Sequence, residues 1–435
     1  MTSVMPLRVA RDVRATEPDF LRQRIDRYYD DRRVAWPKGE HILVGRAPGP
    51  AAVMLRSNDY LGMATHPWVR EAERRAAEVD HRTMVMAAVF LHGDNFQGRF
   101  EAAMAGFMGA QATILAQSGW EANVGLLQAI VDPGRPVYVD MYAHMSLREG
   151  VRSARAQEII FRHNSPDALE RLITRYGPGF VVVDSVYSTS GSVAPLLDLL
   201  DVTDRHGCAL IVDESHSLGT HGAHGAGLVH ELGLEDRVHF RTASLAKAFA
   251  GRAGIIACSA RQAEYVKYHS NPAIFSSGLL PAEIQRLDAV RRAISDADGR
   301  RAQLHVNAAY LREGLDALGY NVDAGRSQIL ALESGEEWRT IALRNALEAR
   351  GVFGSVFCAP ATPKPGSLIR FTVNSELTRA QLDHVLAVCD EIRDEVAVGE
   401  WASTRRRYRQ RTVSLAAPAA YKAYEAYEAY EAEPA

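Results

Sequence analysis

Three residues in one stretch can do linked chemistry. The run ALIVDESHSLGTHGAHGAGL begins at Ala209, carries Asp213 at the end of an apolar segment and His216 three residues on, and is followed by TASLAKAF with Lys247. Lys247 has no adjacent charge, and an amine among apolar neighbours loses its proton more readily than one in water, which makes it a nucleophile and a base. A carboxylate closing a buried segment is costly unless it faces a cation. An imidazole one turn away supplies a further polar contact. A lysine that bonds an aldehyde, a carboxylate that keeps a pyridine nitrogen protonated and a group beside a ring oxygen are together what pyridoxal phosphate requires of a protein.

The cofactor makes further demands, and each has a candidate. Its phosphate needs amides at a helix N-terminus together with hydroxyls. Ser118 and Gly119 in SGWEAN open a helical segment, and Ser244 lies three residues before the lysine. The ring face needs a planar partner, for which His144 or Trp120 serves. Taken singly these signals are weak: DxxH is commonly a hydrogen-bonded pair at a strand end, and SGW is commonly a helix cap. Their order along the chain makes the combination specific.

Those residues sit at the ends of predicted strands. ATILAQS, PVYVDM, EIIFRH, FVVVDSV, ALIVDES, VHFRTASL and AGIIACS are short apolar runs rich in β-branched residues, separated by helical segments such as EANVGLLQAI and SPDALERLITRYG. Alternation of this kind predicts an α/β fold with a large, mostly parallel sheet. In such sheets ligands bind beyond the carboxyl ends of the strands. Ser118, His144, Ser188, Asp213 with His216, and Ser244 with Lys247 all fall there.

Residues 17–36 have the spacing of an amphipathic surface helix, with Phe20, Ile25, Tyr28 and Tyr29 on one side. Residues 281–319 read as one long helix or two joining the large unit to a smaller α+β unit, whose strands are SQILALES, VFGSVFCA and SLIRFTVN. The expected division is 1–60 as an N-terminal helix and arm, 61–285 as the large cofactor-binding domain, 286–398 as the small domain, and 399–435 as a basic, then Tyr/Glu-rich disordered tail.

A chain of 435 residues with net charge -3 has no electrostatic footprint for nucleic acid. No run of about twenty apolar residues predicts a membrane span, and MTSVMPLRVARDVRA lacks the apolar core of a signal peptide. Four cysteines, Cys208, Cys258, Cys358 and Cys389, are spaced as neither a disulfide framework nor a metal site. A cytoplasmic enzyme is expected. Two rival sites fail on motif: Ser185, Ser188, Asp213 and His216 lack the G-x-S-x-G elbow of a hydrolase, and His216, His221 and His224 lack a recognised metal spacing, so no metal is expected.

The order DxxxHxSxxxG at Asp140, His144, Ser146 and Gly150, then DESHSLGxxGxxGxG, then TxSxxK ending at Lys247, resembles the α-oxoamine synthases, pyridoxal phosphate enzymes of fold-type I. Residues 50–395 carry the likeness. SNDYL, AVFLHGDN, LAQSGWEANVGLLQ, YGPGFVVVDSVYSTSGSVAPL, SLAKAFAGRAG and PAIFSS are similar to the quorum-sensing autoinducer synthases, which make α-aminoketone precursors of α-hydroxyketone signals.

The resemblance implies that Lys247 bonds the cofactor, Asp213 pairs with its pyridine nitrogen, His216 bonds its phenolic oxygen and His144 stacks on its ring. Ser118, Gly119, Trp120 and Ser244 frame the phosphate, and Ser188 lies beside the ring oxygen. Ser276 and Ser277 reach the phosphate of a partner subunit, so a homodimer is implied. Arg370 holds the substrate carboxylate and Asn58 assists. The implied substrates are an acyl-CoA and an amino acid or S-adenosylmethionine. The alternative is a biosynthetic relative of the 8-amino-7-oxononanoate synthase kind, using glycine, alanine or serine. Departures from the commoner members occur in FLHGDNFQG and AFAGRAG, where substrate choice is expected to lie.

Overall fold

The computed structural model describes residues 17–35, 41–76, 78 and 86–406. The Tyr/Glu repeat expected to be disordered lies outside them. Eleven strands are present among the described residues: β1 (Val53–Leu55), β2 (Ala112–Ala116), β3 (Pro136–Asp140), β4 (Gln157–Phe161), β5 (Phe180–Asp184), β6 (Ala209–Asp213), β7 (Phe240–Ser244), β8 (Gly254–Cys258), β9 (Ile329–Gly335), β10 (Val352–Phe357) and β11 (Ser367–Thr372). They form a seven-stranded sheet in the order β2-β8-β7-β6-β5-β3-β4 and a four-stranded sheet in the order β1-β10-β11-β9.

In the large sheet β3 to β7 run parallel, while β8 is antiparallel to both β2 and β7. Helices cover both faces, which is why the strands read as unbroken apolar runs. Successive side chains point to opposite faces. Tyr138, Val181, Val183, Leu210 and Val212 enter one core, and Val137, Val139, Val182 and Ile211 enter the other. Every strand of this sheet coincides with a run read from the sequence.

The small sheet contains a strand that no pattern announced. β1 is three residues long and pairs in parallel with β10, Val53 opposite Val352. The segment before it is fastened to helix Glu337–Ala349. Arg344 donates from Nη1 to the carbonyls of His41 and Ile42, both at 2.8 Å, and Glu348 accepts from the Arg46 amide at 2.6 Å. Glu348 also pairs with Arg56, so the N-terminal arm belongs with the C-terminal sheet.

The connection between sheets is two helices, Pro281–Ser295 and Asp298–Ala317. Helix Asp19–Ala35 lies on the surface with Phe20, Tyr28 and Tyr29 exposed. Beyond the boundary expected at 398 the chain is still packed. Trp401 is buried, lies edge-on to Tyr320 and donates Nε1 to the Val396 carbonyl at 2.9 Å, and Ser403 and Thr404 are buried as well. One tryptophan among polar residues anchors this segment, too sparse a signal for a pattern of apolar spacing.

Candidate active site

The end of β6 is the hub. Asp213 lies in register beside Asp184 of β5 and is buried. Its Oδ1 accepts from the Ser215 amide at 2.8 Å and its Oδ2 from the Asn123 side chain at 2.7 Å. Asn123, on helix Gly119–Ile130, was not singled out from the sequence, yet it organises the centre. Thr242 donates its hydroxyl to Asn123 Oδ1 at 2.6 Å, which turns the amide NH₂ toward Asp213 and toward Ser146 Oγ at 2.9 Å. Ser146 Oγ in turn lies 2.7 Å from His144 Nδ1.

His144 caps helix Met145–Ser153, its Nδ1 accepting from the Ser146 amide at 3.3 Å. With Nδ1 an acceptor, the ring proton is on Nε2. Burial and the nearby Lys247 charge hold the imidazole below its ordinary pKa against the opposing pull of Asp213, burial being the largest cause.

His216 is buried against Tyr60, with Nδ1 2.6 Å from the phenolic oxygen. Burial first, then the proximity of Lys247, Arg370 and His144, holds it well below the usual histidine range. Lys247 follows β7 in a tight loop. Ala250 donates its amide to the Lys247 carbonyl at 2.8 Å and takes a left-handed φ of 46°. Burial pushes the Lys247 amine down, Arg370 adds to the effect, and Asp213 opposes it.

Beside this centre, helix Gly119–Ile130 begins where Ser118 Oγ accepts from the Glu121 amide at 3.1 Å. Gly119 meets β7 so closely that a Cβ there would lie 2.5 Å from the Ser244 Cβ. Ser244 donates its amide to Ser215 Oγ at 2.8 Å, and its own hydroxyl accepts from the Ala246 amide at 3.3 Å. Trp120 is about half exposed and edge-on to His144, centroids 6.2 Å apart, so it forms a rim.

The small sheet supplies the other wall. Arg370 of β11 donates to the Ser188 carbonyl at 2.8 Å and to Asn58 Oδ1 at 3.2 Å, and its guanidinium lies over the Phe357 ring. Its Nε is buried without a hydrogen-bond partner. Asn58 and Arg370 thus meet, as do Lys247, Asp213, His216 and His144. Ser276 and Ser277 stand apart: the Ser276 hydroxyl bonds back to the Pro272 carbonyl, and the Ser277 carbonyl takes the Gln117 side-chain amide.

The rival sites do not assemble. Ser185 Oγ donates to the Asp213 carbonyl at 3.0 Å and lies 2.8 Å from Ser217 Oγ, away from any histidine. A separate Ser192–His163–Asp140 relay exists at 2.8 Å and 2.8 Å, but Ser192 is buried and its Oγ also lies 2.7 Å from Ser190 Oγ. His221 bonds Thr220, and His224 bonds the Ser295 carbonyl. Among the described residues no three side chains converge as metal ligands.

A half-buried amine, a buried carboxylate and two imidazoles held toward the neutral form beside a helix N-terminus, at the strand ends of this sheet, define a pyridoxal phosphate enzyme of fold-type I. The chain belongs to the aminotransferase class I and II family, whose profile matches residues 51–388, and within it to the α-oxoamine synthases.

It is 45% identical to the CAI-1 autoinducer synthase of Vibrio campbellii over 86% of this chain and 95% of that protein. It is 31% identical to an 8-amino-7-oxononanoate synthase of Coprothermobacter proteolyticus over 85% and 95%. The structure of a serine palmitoyltransferase from S. paucimobilis with bound PLP and myriocin superposes with a TM-score of 0.80 at 25% identity, covering 87% of this chain and 99% of that one.

The residues present fit the cofactor on their own chemistry. Lys247 is an amine whose protonation is disfavoured by its surroundings, and Asp213 is a buried acceptor with both oxygens oriented. Gly119 leaves open a cradle that any side chain would fill.

Proposed function

We propose that this chain is a C-acyltransferase that joins the acyl group of a long-chain acyl-CoA to the α-carbon of an amino acid or S-adenosylmethionine, giving an α-aminoketone precursor of an α-hydroxyketone autoinducer. The observation that carries the proposal is the 45% identity to an autoinducer synthase across nearly the whole of both chains. The weaker likeness to 8-amino-7-oxononanoate synthases supports the alternative of a biosynthetic enzyme using glycine, alanine or serine.

Bound pyridoxal phosphate supplies an electron sink for negative charge at the substrate carbon. Lys247 would carry it, Asp213 would face its pyridine nitrogen, His216 its phenolic oxygen and His144 its ring. Ser118, Gly119 and Ser244 would hold the phosphate, with the N-terminal amides of the helix as donors. Arg370 and Asn58 would bind the amino substrate's carboxylate, consistent with the unpartnered Arg370 Nε. Lys247, whose protonation desolvation disfavours, takes the Cα proton as general base. The substrate carbon bonds the thioester carbonyl carbon as the C–S bond breaks and CoA leaves as its thiol, and loss of the substrate carboxylate as CO₂ then gives the α-aminoketone.

The enzyme works as a homodimer in the cytoplasm, with Ser276 and Ser277 serving the partner's site. The exposure of Phe275 beside them supports that arrangement, and among the described residues no helix is long and apolar enough to cross a membrane. The two sheets support a large cofactor domain and a small domain that includes the arm. Mass spectrometry of products from a matrix of acyl-CoAs and amino donors tests the function. Long-chain aminoketones are expected, and turnover confined to short acyl groups with glycine, alanine or serine would refute it.

A further inference from the structure

Tyr60 stands between two parts of the site that the mechanism treats separately. Its segment follows β1, so it is fixed to the small sheet, and the Tyr60 carbonyl accepts from the Ser375 amide at 2.8 Å. Its side chain crosses to the large sheet and is fully buried. There the hydroxyl has three neighbours to which its single proton could go. Asn58 Oδ1 is 3.5 Å away and already accepts from Arg370. Gln328 donates Nε2 to the His216 carbonyl at 2.8 Å, and its Oε1 has no partner, so it does not take the proton. His216 Nδ1, at 2.6 Å, is the remaining acceptor and the closest. A phenol buried this deeply keeps its proton, and the imidazole beside it stays neutral.

We infer that Tyr60 is a positioning residue: by donating to Nδ1 it fixes His216 as the Nε2–H tautomer, and so holds the ring as a hydrogen-bond donor toward the cofactor. Without that bond the neutral ring could carry its proton on either nitrogen, and half of its choices would present a lone pair to the cofactor oxygen. The same hydroxyl lies next to Asn58 and, through it, Arg370. The group that orients His216 is therefore carried on the segment that forms the carboxylate subsite. This inference rests on the cofactor roles proposed above for His216 and Arg370.

The test is the tautomer itself. In holoenzyme labelled with ¹⁵N-histidine, two-bond proton–nitrogen correlations distinguish Nε2–H from Nδ1–H, and His216→Gln identifies the signal. Wild type is expected to show the Nε2–H pattern at His216. Tyr60→Phe, which removes one oxygen and retains the ring packing, is expected to shift that signal toward Nδ1–H or a mixture while the other histidines keep theirs. It is also expected to lower kcat by about tenfold, the scale of one buried hydrogen bond, with the KM for acyl-CoA unchanged. An Nδ1–H pattern in wild type, or an unchanged tautomer in Tyr60→Phe, overturns the inference. The expected tautomers in a protein that condenses no acyl-CoA would support the role of Tyr60 while sinking the proposed function.

Discussion

At the residue scale, the site depends on bringing an amine whose protonation is disfavoured and a buried, hydrogen-bonded carboxylate into one crevice. Lys247→Ala is expected to abolish the visible absorbance of lysine-bound cofactor, which borohydride reduction reports in the wild type, and to lower condensation on the order of a thousandfold or more. Retained turnover would refute its assignment. Asn123 is the less obvious dependency. Asn123→Leu removes partners from Asp213 Oδ2, Ser146 and Thr242 at once, and leaving buried polar groups unpaired costs about 1–3 kcal/mol each. Urea unfolding of the cofactor-free protein should show a loss of at least that size; an unchanged midpoint would mean that Asp213 finds another partner.

At the scale of elements, the packing of helix Gly119–Ile130 on β7 sets where the phosphate would lie. Gly119→Ala places a Cβ 2.5 Å from the Ser244 Cβ and 2.8 Å from its Cα, where backbone has to move. Cofactor affinity is expected to fall about tenfold or more, with the far-ultraviolet circular dichroism retained; equal affinity in a fluorescence titration would show that the cradle tolerates the methyl. Much of this architecture was legible in the sequence because a strand covered on both faces has to be apolar throughout, as in FVVVD and ALIVD. β1 was not, since three residues carry no periodicity and their partner is remote. Asn123, Thr242 and Tyr60 escaped notice for a related reason: each resembles an ordinary polar residue of a helix, strand or turn until a distant segment is brought against it. Lys247, Asp213 and His216 stood out because their types are expensive to bury.

At the scale of the whole molecule, two histidines are held neutral within the fold, His216 buried and His221 half-buried. His216 is held well below its ordinary pKa and His221 is pushed down to about 3, in each case chiefly by burial. The unfolded chain takes up these protons near pH 6.5 and the folded chain does not, so stability is greatest above that value and falls as the pH drops below it. Each such group adds ~1.4 kcal/mol per pH unit to the slope. Melting temperature should decline from pH 7 to pH 5, and His221→Gln should make the decline shallower; a flat profile would contradict the buried neutral assignment.

The arm of residues 41–60 has one more consequence, for synthesis on the ribosome. Asn58 bonds Arg370, a residue 312 positions later, and β1 waits for β10. At about 5–20 residues per second, the arm is made roughly 15–60 s before its partners. The large sheet, with its lysine, can be complete while the Asn58–Arg370 contact does not yet exist. A product terminated before Ser367 would retain Lys247 and Asp213 but lack the β11 edge that carries Arg370, so the contact that closes this side of the crevice forms late in synthesis.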